Sequence, residues 1–149
     1  MKTRILTALL LLSIFSCQTL KAQSRTVLPD GTVIINTTEI VQDIRGHHDA
    51  TPVEITILAD TIQDVKALPS RESPRFFNRA VELLRSFIGL TVDKALAKET
   101  DTVSGATMSS RSLIGNVQAG LKHHKDLQEE EGASKITIID IRHEDLIRK

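Results

Sequence analysis

Val53, Ile55 and Ile57 alternate with Glu54 and Thr56. A period of two places the three aliphatics on one face of a strand with the polar pair on the other. Asp60 turns the chain, and Ile62, Val65 and Ala67 predict a return strand ending at Pro69. Upstream, Leu28-Pro29-Asp30-Gly31-Thr32 is a turn signal between Thr26-Val27-Leu28 and Val33-Ile34-Ile35, which predicts a hairpin. The extended pattern continues from Thr37 to Ile44, a run rich in β-branched residues. Arg45 to Thr51, reading RGHHDAT, breaks it as a loop. The first half therefore reads as an antiparallel meander.

The period then changes. Ser73 and Pro74 read as N-cap and first helical residue. Phe76, Phe77, Ala80, Val81, Leu84, Phe87 and Ile88 recur at helical spacing until Gly89 stops the run. A shorter helix is predicted from Thr91 to Leu96, then a loop. Leu113, Ile114, Val117 and Leu121 form the apolar stripe of a helix from about Met108 to His123. Gly115 and Gly120 lower its propensity, which implies close packing of its backbone on the sheet. Residues 125–134, with Glu129-Glu130-Glu131-Gly132, read as a solvated linker. KITIIDI, Lys135 to Ile141, predicts a last strand within a 135–149 tail that serves as an edge strand or a docking segment. Strands followed by helices give an α+β class: a single domain, one antiparallel sheet with helices on one face.

Composition sharpens this picture. The chain has 149 residues, enough for one modest domain. Four Phe and no Tyr or Trp leave the core to Ile, Leu and Val. Formal net charge is zero and no Lys/Arg stripe forms, so nucleic acid is not an expected partner. Residues 1–22 have the form of a secretory signal peptide: Lys2 and Arg4, an apolar run from Ile5 to Phe15, and a more polar end at Ala22. Cleavage after Ala22 would begin the mature chain at Gln23 and leave it mildly acidic. Cys17, the single cysteine, follows Ile14-Phe15-Ser16 in a sequence similar to a lipoprotein processing site, so a lipid anchor at Cys17 stays open as a second outcome. Either way the expected location is the periplasm or cell envelope, and the folded part holds no disulfide.

DTVSGATMSS, residues 101–110, is the stretch with most chemistry. Amides at a helix start have no acceptor within the helix and, with the helix dipole, favour an anion such as phosphate. Gly105 and Ala106 let a ligand approach the main chain, and Ser104, Ser109 and Ser110 add hydroxyls. Helix capping with no ligand accounts for the same residues. His47-His48-Asp49 have the side chains of a metal site, but neighbours on an extended chain point apart and are not expected to converge. No hydrolase motif of the G-x-S-x-G kind appears.

Asp101-Thr102-Val103-Ser104-Gly105-Ala106-Thr107 resembles the D-x-x-S/T-G-A-T signature of the bacterial FMN-binding domain family. That family includes the extracytoplasmic flavin subunits of the sodium-pumping NADH:quinone reductase and of Rnf complexes, and small exported stand-alone domains. The similarity runs from about Ile40 to His124. It implies FMN as cofactor, joined through a phosphoester to Thr107 by a flavin transferase of the ApbE type. That enzyme uses FAD and a metal ion and releases AMP. The implied activity is electron transfer from a membrane reductase to an extracytoplasmic acceptor, so the chain would be an electron carrier rather than an enzyme. The implied cofactor residues are Asp101, Ser104, Gly105, Ala106, Thr107, Met108 and Ser109. Glu72-Ser73-Pro74 is similar to an E-T-P segment beside the flavin ring, which adds Glu72 and Ser73, and Phe76 is a candidate apolar neighbour of the ring. The chain departs from the family at Ala59-Asp60-Thr61, where Gly is common in the hairpin, and at Arg75, where larger members carry Gly. The alternative implied is a non-covalent FMN module, or an unloaded interaction domain in which SGAT only caps a helix.

Overall fold

The structure is a computed structural model that describes residues 24–147. The leader assigned to residues 1–22, with its cleavage site and Cys17, lies outside the described residues.

Four strands form one antiparallel sheet in sequence order: β1 (Arg25–Val27), β2 (Val33–Asn36), β3 (Val53–Leu58) and β4 (Thr61–Ala67). Ile35 faces Ile55, and Ile55 faces Val65, so the alternating aliphatics of neighbouring strands share a face. The β1–β2 turn closes with Gly31 at φ 85° and the Asp30 carboxylate accepting the Thr32 N–H at 2.9 Å. The β3–β4 turn is made by Ala59 and Asp60 at φ 48° and 62°. Both take the left-handed conformation that two-residue hairpins require, without a glycine.

The extended run expected over Thr37–Ile44 ends early, at Asn36. The Asn36 carboxamide accepts the Thr38 N–H at 2.9 Å, and the amides of Ile40 and Val41 both bond to the Thr37 carbonyl. That side-chain-to-backbone turn outweighs the β-branched composition that follows.

The helix beginning after Ser73 is split. α1 (Pro74–Val81) tightens into a 3-10 segment, Glu82–Phe87, and Gly89 at φ 84° ends the run. The tighter winding puts residues three apart on one line, so Leu84 and Phe87 both enter the core. α2 (Val92–Leu96) is capped by the Thr91 hydroxyl, which accepts the Lys94 N–H.

α3 (Thr107–Ile147) is one helix of 41 residues, about 60 Å long at 1.5 Å per residue. It runs through the expected linker and through the expected strand at Lys135–Ile141, and corrects both. The Glu-rich run is a good helix former, the single Gly132 costs only about 1 kcal/mol, and propagation of an existing helix is cheap compared with starting a new element. Arg25 also holds the extension, with its guanidinium 2.7 Å from Glu131.

Val33, Ile35, Val53, Ile55, Ile57, Ile62 and Val65 form the inner face of the sheet, and Leu84, Phe87, Leu113, Val117 and Leu121 cover it. A Cβ added at Gly120 would lie 2.8 Å from the Thr37 methyl and 3.0 Å from Ile55 Cδ1, so the helix backbone rests directly on the sheet there. Gly115 instead meets Ile44, in the loop before β3. Gly120→Ala is expected to destabilise the fold by about 1–3 kcal/mol through overpacking, although alanine is the better helix former. Urea denaturation measures it; an unchanged midpoint would show that the helix stands off the sheet.

His124 is buried between α3 and β1, and its Nδ1 accepts the Arg25 Nε–H at 3.2 Å. Burial and the nearby guanidinium hold its pKa below the ordinary 6.5. The unfolded chain therefore binds the proton more readily. The stability of this site is complete above pH 6.5 and is lost as pH falls through the lowered folded value. The melting temperature is expected to begin falling below about pH 6.5, and His124→Gln should flatten that limb.

Candidate functional site

The segment before α3 is fastened by Ser110. Its hydroxyl accepts the Val103 N–H at 3.1 Å and donates to the Ala106 carbonyl at 2.8 Å. The Ala106 N–H bonds back to the Val103 carbonyl at 2.9 Å, and Gly105 turns the chain at φ 79°. The first helical bond runs from the Ser110 N–H to the Ala106 carbonyl at 2.9 Å. The amides of Thr107, Met108 and Ser109 precede it, where a helix offers no acceptor of its own. Ala106, the residue before the helix, has no side-chain oxygen to cap them.

Those residues form one wall of a cavity of about 400 Å³. The wall comprises Gly105, Ala106, Thr107, Met108 and Ser109; Glu72, Ser73 and Phe76 at the entry to α1 form a second, and His47 and His48 a third. Thr107 is half-buried, and among the described residues its hydroxyl has no hydrogen-bond partner. Ser109 and Ser110 differ: both are buried, and both hydroxyls are engaged by protein groups.

Glu72 joins the three walls. Its Oε1 accepts the N–H groups of His48 at 2.6 Å and Asp49 at 2.9 Å, and its Oε2 accepts the Ser109 hydroxyl at 2.7 Å. The residue is 5% exposed. Burial pushes its pKa up, but the amides of His48 and Asp49 and the Ser109 hydroxyl outweigh it and hold the carboxyl below its usual 4.5. Space for the carboxylate depends on Gly46, since a Cβ there would lie 2.7 Å from the Glu72 carboxyl carbon.

The loop explains a failed expectation about the histidines. The Gly46 N–H bonds to the Asp49 carbonyl at 2.8 Å and Arg45 pairs with Ala50, so the chain is folded back rather than extended. The two rings meet edge to face at 4.3 Å, with His47 Nδ1 3.1 Å from His48 Nε2. Among the described residues no cluster of three or more His, Cys, Asp or Glu is placed to hold a metal ion.

Of the residues singled out in the sequence, Glu72, Ser73, Phe76, Gly105, Ala106, Thr107, Met108 and Ser109 come together on the cavity. Asp101 and Ser104 are exposed on the approach to the turn and do not line it. The Phe pair divides: Phe77 packs against the core, and Phe76, 41% exposed, faces the cavity. His47 and His48 were not legible as lining residues, because only the folded loop turns them inward.

A sheet backed by helices, with a cleft at the start of the longest helix, defines a small α+β ligand-binding domain. The cavity volume lies within the range of small-molecule sites, roughly 300–1,000 Å³, and the small Gly105 and Ala106 leave the main chain accessible beside three amides to which the helix gives no acceptor. The chain belongs to the FMN-binding domain family, whose model matches residues 46–122. That span reaches from the loop holding His47 to the last sheet-packed turns of α3. No curated protein and no solved structure matches the chain.

Proposed function

We propose that this chain is an exported electron-transfer flavoprotein domain whose FMN is attached through its phosphate to Thr107. The observation that carries the reading is the position of Thr107. It is the one hydroxyl of the α3 first turn left without a protein partner among the described residues, and it stands on the cavity wall. Thr107 is the first residue of the helix, past the capping position that Ala106 holds, so its hydroxyl is left for chemistry from outside.

The residues fit a phosphate-tailed flat ligand. The amides of Thr107, Met108 and Ser109 and the helix dipole favour the phosphate. Gly105 and Ala106 keep side chains out of its path. Phe76 and Met108 offer apolar surface to a ring system, and the Glu72 bonds hold the walls at fixed separation. Bound isoalloxazine supplies the redox chemistry, and the chain supplies position and local charge. A flavin transferase would load the domain, a membrane reductase would reduce it, and an extracytoplasmic acceptor would oxidise it. Covalent attachment prevents loss of the flavin by diffusion in the cell envelope, with or without a lipid anchor at Cys17.

Intact mass after co-expression with a flavin transferase tests this. The expected product is the mature chain plus one FMN less water, still yellow after denaturation and filtration. Colour that leaves entirely with the filtrate would assign the domain to non-covalent FMN binding. A colourless protein of unmodified mass would leave only an interaction domain.

A further inference from the structure

The mouth of the cavity carries an arrangement of charge that holding FMN does not require. Arg71 precedes Glu72, Arg75 has its guanidinium carbon 5.8 Å from the centre of the Phe76 ring, and Arg79 Nη1 lies 3.7 Å from where a Gly105 Cβ would stand. Each of the three is exposed, and each adjoins a residue that lines the cavity. Among the described residues none of them has a carboxylate within 4 Å. Arg85, one helical step further along, does pair with Glu82 at 3.1 Å, and Lys122 and Lys125 pair with Asp126 and Asp93. Arg45 and Arg111 are also without such a partner among the described residues, but Arg71, Arg75 and Arg79 are the three that stand together at the entry to α1 and the Gly105 turn. Between them stand Phe76 and Met108, 41% and 51% exposed. Exposed Phe and Met ringed by Arg is the composition of a protein-binding patch. Glu72 is the acid on the cavity wall, and its oxygens are taken by the His48 and Asp49 amides and the Ser109 hydroxyl; Asp49 and Asp101 do not line the cavity, and Asp49 bonds the Ala50 N–H.

We infer that this mouth is the docking face for a redox partner with an acidic surface: Arg71, Arg75 and Arg79 steer the encounter around an apolar centre that Phe76 and Met108 share with the flavin ring. The inference rests on the electron-carrier reading and adds the partner's chemistry. Unpaired charges on a rim act mainly through encounter rate, and their effect is screened by salt over about 10 Å at 0.1 M.

Two assays test it. In the first, the flavin-loaded protein is reduced by two electrons and oxidised either by ferricyanide, an anion, or by tris(phenanthroline)cobalt(III), a cation. Each oxidant molecule takes one electron, so two are consumed per reduced flavin anion, with release of one proton. Ferricyanide oxidation is expected to slow several-fold as salt is raised, and cobalt oxidation to quicken, following the sign of the local field. The triple variant Arg71→Gln, Arg75→Gln, Arg79→Gln should slow ferricyanide oxidation at low salt by roughly 3–10-fold and quicken cobalt oxidation. In the second, the unloaded protein is titrated with poly-L-glutamate and with phosphatidylglycerol vesicles. Binding of the acidic polypeptide, lost in the triple variant, supports the inference. Salt responses of opposite sign, or a triple variant indistinguishable from wild type, overturn it. Arginine-dependent binding to vesicles but not to poly-L-glutamate also overturns it, in favour of a lipid surface. Failure to load flavin contradicts the electron-carrier reading, whereas the titration still decides the nature of the patch.

Discussion

Thr107→Ala is expected to abolish all flavin that survives denaturation, with no loss of fold. Thr107 is only half-buried, and among the described residues its hydroxyl supports no other group, so its removal leaves no donor or acceptor stranded. Alanine is also the better helix former. The variant's melting temperature should therefore stay within a few degrees of wild type, while its mass after co-expression with the transferase stays that of the bare chain. Thr107→Ser keeps the hydroxyl at the same place and should restore loading. A Thr107→Ala protein still carrying denaturation-resistant flavin would move the attachment to another hydroxyl of this turn, for which Ser104 is the exposed candidate.

Glu72→Ala should produce the largest loss of stability at the site, on the order of 3 kcal/mol. Its carboxylate takes hydrogen bonds from two amides and one hydroxyl, and removing it strands all three donors beside a void. Glu72→Gln keeps the shape but presents an NH₂ group to at least one of these donors, so it should fall between alanine and wild type. Because the folded carboxyl titrates below its ordinary 4.5, its contribution is whole above that pH and is lost as pH falls through the lowered value. Acid unfolding of wild type should therefore steepen below pH 4.5, and Glu72→Gln should lack that step. Gly46→Ala tests the same contact from the other side. Its added methyl meets the carboxylate and should loosen the 46–49 loop without changing any charge. Equal urea midpoints for Glu72→Ala and wild type would show that the three walls stand without it.

What the sequence discloses here follows the range of the forces involved. The β3 alternation, the return strand through Ile62 and Val65, and the short helix beginning near Thr91 are local patterns, each complete within a few residues. Their structural outcome matches the reading. The Asn36 turn is equally local, yet a β-branched run masks it. The linking role of Glu72 is not local: its partners lie 23, 24 and 37 residues away in sequence. The sequence marks Glu72 as a neighbour of the ring, whereas the fold directs its oxygens toward protein donors. The contact between His47 and His48 depends on a folded-back loop, which no periodicity signals. KITIIDI illustrates the reverse error. Its β-branched residues read as a strand when taken alone, but they follow an established helix that propagates through them.

The most direct test of the central claim is the trypsin digest of protein loaded in vivo. Cleavage after Lys98 and Arg111 releases the peptide Glu99–Arg111, which contains the whole signature. Tandem mass spectrometry should place one FMN phosphoester on Thr107 and leave Ser104, Ser109 and Ser110 unmodified. A flavin-bearing peptide modified at any other residue, or an unmodified Glu99–Arg111 from fully loaded protein, would contradict it.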